Sequence, residues 1–140
     1  MYNKKYEERL AAWSEFRSSL EDSKTPFLDV VEFYASAPKT RYAVDPWGQS
    51  TWPDPWQLLE ENLYCEFSVV LGMCFSLQLT DKFSGSNFEI HISTNNKKAE
   101  THYLLFVDDI CVNYKDGVIS KENLPDALYS QSIYSMPVLQ

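Results

Sequence analysis

The segment Cys65–Leu79 constrains this chain more than any other. Its apolar residues at 67, 69, 70, 71, 73, 74, 75, 77 and 79 run nearly all round a helical wheel. A helix without a polar face has to sit at the centre of a fold, with other elements packed around it. About fifteen residues is long for a strand, so length favours helix over the alternation visible locally. Ser68, Gly72, Ser76 and Gln78 interrupt the run. It therefore falls short of the roughly 18 apolar residues of a membrane span, and no membrane partner is expected.

The flanking segments supply what packs on it. Tyr2, Tyr6, Leu10, Trp13, Phe16 and Leu20 share one helical stripe. Thr25 and Pro26 offer a cap and a first position to a second helix, with Phe27, Val30, Val31 and Tyr34 on one face and an end at Pro38. Residues 1–37 read as a helical hairpin. Residues 38–55 hold four prolines together with Trp47 and Trp52, and Asp54-Pro55 opens a short helix at 56–61. Beyond Gly85 the period becomes two. Phe88, Ile90 and Ile92 alternate with Glu89, His91 and Ser93, a half-buried strand with His91 toward water. Strands at 102–107 and 110–114 meet at Asp108-Asp109, and a turn follows at Asp116-Gly117. The last twenty residues read as irregular, with a helical turn near 126–129. Helices first and strands later predict an α+β fold: N-terminal helices and a central buried helix packed on a small antiparallel sheet. At 140 residues this is one domain, with 38–140 as its core.

Charge and cysteine content narrow the function. Twelve Lys and Arg against twenty Asp and Glu leave a net charge of −8, which repels phosphate backbones. No nucleic-acid partner is expected. An acidic mimic of nucleic acid would need a run of carboxylates on one face, and none is visible. Three cysteines without C-x-x-C spacing argue against a disulfide framework and a zinc site. The first residues lack the apolar block of a signal peptide, so a reducing, cytoplasmic setting is expected. His91 and His102 lack ligand spacing, and four glycines make no phosphate loop. Neither metal nor cofactor is expected.

The candidate chemistry centres on Cys65. A thiol at the first turn of the buried helix meets unsatisfied amides and the positive end of the helix dipole, which lower its pKa. By pleat parity His102 shares a face with Leu104 and Phe106. If Asp108-Asp109 is a two-residue turn, Val107 pairs with Ile110, and Asn113 lies opposite Leu104, diagonal to His102. On the sheet face that packs on the helix, imidazole and amide would complete a thiol–base–orienter set. A buried histidine satisfied by a neighbouring amide has the same spacing and no chemistry. Trp47, Trp52 and Trp56 either line a groove or anchor a loop, and Gln57 has an amide to offer an oxyanion.

The run from Trp52-Pro53-Asp54-Pro55-Trp56 through Tyr64-Cys65-Glu66-Phe67-Ser68 resembles the bacterial transglutaminase-like cysteine peptidases. So does His102-Tyr103-Leu104-Leu105-Phe106-Val107, followed by Asp108-Asp109 and a strand ending near Asn113. The order Cys, His, Asp/Asn is that of this superfamily and its papain-like relatives. The resemblance covers roughly residues 47 to 115. It implies a cysteine on a central helix against an antiparallel sheet, with Cys65, His102 and Asn113 acting on amide or ester bonds of a protein substrate. Leu63-Tyr64 stand where the family has Gly-Asp, and Tyr103 where it has a small residue, which leaves an inactive member open. Size and the tryptophan loop also resemble short proteins of tailed bacteriophages. That likeness implies a non-enzymatic virion or assembly component, in the host cytoplasm or the particle, that binds a protein partner.

Overall fold

A computed structural model describes residues 1–139. Four helices come first: α1 (Tyr6–Asp22), α2 (Pro26–Ala35), α3 (Pro55–Glu61) and α4 (Glu66–Gln78). Five strands follow: β1 (Phe88–Asn95), β2 (Glu100–Val107), β3 (Ile110–Tyr114), β4 (Gly117–Ser120) and β5 (Leu128–Ser135). Short 3-10 turns lie at Gln49–Thr51 and Lys121–Asn123. The strands form one antiparallel sheet in the order β4-β3-β2-β1-β5. The fold is α+β, as the element order predicts.

Local chemistry explains the helix ends. Asp54 and Gln57 cap α3 reciprocally: Gln57 N donates to Asp54 Oδ1 at 2.8 Å, and Asp54 N to Gln57 Oε1 at 2.9 Å. Asn62 ends it at φ 52°, and the Arg9 guanidinium donates to the carbonyls of Leu59 and Glu60 at that end. Cys65 and Ser68 do the same for the start of α4. Along α4, Gly72 lets the Tyr34 ring of α2 come so close that a Cβ there would lie 2.5 Å from it. The wheel without a polar face has its reason here: eleven of the thirteen residues of α4 are buried.

The sheet is covered on both faces. Phe88, Ile90, Leu105, Val107 and Val112 join Trp13, Leu20, Val30, Leu58 and Leu71 in the main core, which draws on both the 1–37 segment and the remainder. Leu104, Phe106 and Cys111 form a second, smaller core under Ile119, Leu124 and Leu128. The sequence reading of the last twenty residues is corrected here. Residues 128–135 are not irregular: Leu128 opens a strand where a helical turn was expected, and β5 pairs with β1 along its length. Its period is hidden by a bulge. Ile92 pairs with Ser132 and Ser93 with Ser130, which leaves Gln131 as the extra residue. One face of β5 therefore reads Leu128, Ser130, Ile133, a spacing of two and then three.

Candidate functional site

Cys65 is the N-cap residue of α4, one position ahead of its first turn. Its Sγ accepts from Ser68 N at 3.4 Å, and Cys65 N donates to Ser68 Oγ at 2.7 Å. Burial pushes the thiol up, but hydrogen bonds from the Ser68 hydroxyl and the backbone at Ser68, Ala43 and Val44 outweigh it. The thiol sits below its ordinary value. The lowering rests on those hydrogen bonds, one of them from an amide in the first turn of α4, while access fails. Cys65 is 4% exposed, with the Val44 carbonyl 4.0 Å from its sulfur.

The expected partners do not assemble on it. Val107 pairs with Ile110 and Phe106 with Cys111, the register that the two-residue turn predicts. His102 does share a face with Leu104 and Phe106, but that face carries the second core, and α4 packs on the other. The β2 side chain that meets the start of α4 is Tyr103, whose ring lies 5.3 Å from that of Phe67. Its phenol is raised by burial and then by the charges of Glu66 and Cys65. His102 Nε2 instead meets Glu100 Oε2 at 3.1 Å, and its ring lies 5.6 Å from that of Tyr114. Asn113 is spent on the backbone. Its Oδ1 accepts from Leu105 N at 2.8 Å and its Nδ2 donates to Tyr103 O at 2.9 Å, replacing ladder bonds that β3 drops after Cys111. His102 and Asn113 do line one cleft of about 410 Å³ with Lys39, Glu66 and Tyr103. Cys65 is outside its lining.

The other candidates separate by exposure. The Gln57 amide oxygen is committed to capping α3. Trp52 is an anchor: its ring packs on Phe67 and Tyr134, and its Nε1 donates to Asp45 O at 2.8 Å. Trp56 lies edge-on to Trp13 with its outer part in solvent. Trp47 is 56% exposed and Tyr42 87%. The segment holding them is nonetheless tied down, by Trp47 N and Gly48 N donating to Asp45 and by the bridge between Lys39 and Tyr64.

His91 corrects the expectation that it faces water. It is 3% exposed, against the Phe106 ring at 4.2 Å between centroids, and both ring nitrogens are hydrogen-bonded. The polar alternation of Glu89, His91 and Ser93 predicts a solvated face because no local pattern shows that residues 121–130 fold over it. Among the described residues, no helix is long and apolar enough to cross a membrane. No group of three or more His, Cys, Asp or Glu side chains there is placed to hold a metal ion. No family model matches this chain, and no curated protein matches it.

Proposed function

We propose that this chain is an interaction component that docks a partner protein through its aromatic loop, residues 42–56. One observation carries the reading: Trp47 and Tyr42 stand in solvent on a loop held in place by Asp45 and Trp52. With its backbone already held, such a loop has only its side chains left to order when covered, and burying a ring gains about 25 cal/mol per Å² of apolar area. Tryptophan and tyrosine in such settings are the usual anchors of protein interfaces. The net charge of −8 opposes a second copy of the chain, so the partner is a different protein with a neutral or basic rim. The transglutaminase-like pattern then supplies the frame of helix and sheet, without a reaction at Cys65.

A photo-crosslinking residue at Trp47 or at Tyr42, in cells that make the protein naturally, tests this. A discrete adduct with one other protein is expected from both positions and not from Glu32, exposed on α2. Trp47→Ala should remove the adduct formed from Tyr42. Adducts of equal yield from Glu32, or adducts only between copies of the chain, would reject the loop as the contact.

A further inference from the structure

Glu89, His91 and Ser130 form a hydrogen-bonded relay on the sheet face turned away from α4. His91 Nδ1 lies 2.7 Å from Ser130 Oγ, and His91 Nε2 lies 3.0 Å from Glu89 Oε1. A carboxylate only accepts, so the ring proton sits on Nε2 and is donated to Glu89. Nδ1 is then a lone pair, to which the Ser130 hydroxyl donates. We propose that Ser130 is a nucleophile activated by His91 as general base, with Glu89 as the positioning residue, in an acyl-transfer site for small uncharged esters.

The surroundings of the relay support this assignment. The β5 bulge at Gln131 brings Ser130 opposite Ser93 and onto the face of His91, and bulges commonly re-aim side chains in this way beside active sites. Ser130 is exposed while His91 is buried, so the nucleophile is open and its base is shielded. Both line a cleft of about 340 Å³ whose apolar wall includes Leu104, Phe106 and Leu128, room for a short acyl chain. Lys121 is the one Lys or Arg lining that cleft among the described residues, and it is available for a developing oxyanion. Burial, more than Lys121, holds His91 below the usual imidazole value although Glu89 pulls it upward, so the ring is a neutral base at pH 7. Relative to the familiar Ser-His-Asp arrangement the two ring nitrogens exchange roles. The cause is local: Glu89, two residues back on the same strand, reaches the other nitrogen.

The reaction balances without oxidant or metal. Ser130 Oγ bonds to the ester carbonyl carbon as its proton passes to His91 Nδ1. The tetrahedral intermediate then breaks its carbon–alkoxy bond, and the departing alcohol takes the proton from Nδ1. A water repeats the sequence with His91 as base, freeing the acid and returning the proton to Ser130. Glu122 and Asp126 at the cleft disfavour anionic esters. The site lies across the sheet from Phe67 and Trp52, so the docking reading can fail without touching it.

A fluorophosphonate probe and p-nitrophenyl butyrate, with the full chain, test the assignment. Peptide mass spectrometry should place the adduct on Ser130, with Ser93 and Ser132 unmodified. Ser130→Ala should abolish both the adduct and ester hydrolysis. His91→Gln should lower both by about 100-fold or more. Labelling should fall as His91 is protonated, and Glu89→Gln should move that limb to lower pH, which assigns the limb to His91 and which loss of the fold alone would not produce. Glu89, Lys121, Glu122 and Asp126 are the charged groups facing this ring and its cleft. Equal modification of Ser130 and Ser132, hydrolysis unchanged in Ser130→Ala, or a flat pH profile would each overturn the proposal. Ser130 is exposed, so its alanine variant decides the matter even if His91→Gln does not fold.

Discussion

Ser76 uses every hydrogen-bonding valence it has. It donates to Gly72 O at 2.8 Å and accepts from Trp13 Nε1 at 2.9 Å, and its oxygen lies 3.0 Å from the Tyr34 hydroxyl. Ser76→Ala should therefore cost about 1–3 kcal/mol in denaturant unfolding, because two buried donors lose their acceptor. Tyr34→Phe, which removes only one of them, should cost less. Cys65 makes a second prediction. Its thiolate is favoured but sealed, so iodoacetamide should modify native Cys65 no faster than Cys74 or Cys111, and readily after unfolding. Faster native labelling that His102→Ala slows would restore the thiol–imidazole reading. His91 makes a third. Its folded pKa lies below the unfolded value of about 6.5, so the unfolded chain takes up a proton that the native state refuses. Its contribution is thus fully present above that value and lost as pH falls from there through the folded pKa. A Tm series against pH should show this limb, and His91→Gln should flatten it.

At the scale of elements, the turns carry the clearest local signals. The β3–β4 hairpin turns through Lys115 and Asp116, at φ 49° and 60°. Two residues in the left-handed region make a type I′ turn, which glycine at the second position suits best. Asp116→Gly should stabilise the fold by about 1 kcal/mol, read as a higher unfolding midpoint. In contrast, Gly72→Ala should destabilise by about 1–3 kcal/mol, since its methyl would meet the Tyr34 ring. The cap of α3, the Asp108-Asp109 turn and the register beside it were legible as short-range patterns, whereas the Cys65–Ser68 cap of α4 was not, and Thr25 makes no side-chain cap on α2. β5 was not legible either, because its bulge breaks the alternation at Gln131 and three of its eight residues are serine.

Across the whole molecule, β5 is an edge strand without a charged residue in a chain of net charge −8. Such an edge invites strand pairing, and the overall charge restrains it. Raising ionic strength should accordingly increase weak self-association in sedimentation velocity. Ile133→Lys, at a site 57% exposed, should suppress it. The sequence by itself determined the central helix, the placing of helices before strands and the face-sharing of His102 with Leu104 and Phe106. Those follow from periodicity and capping, which act within a few residues. Which face of β2 meets α4 was decided only by the tertiary structure. Tyr103, Leu105 and Val107 are as apolar as the alternate set, so parity sorts the residues into two faces and cannot say which the helix covers. The chain beyond 115 settles that by covering the other face, burying His91 and leaving Cys65 with Tyr103 in place of an imidazole. Such long-range packing depends on what competes for each apolar face, and no local pattern encodes that competition.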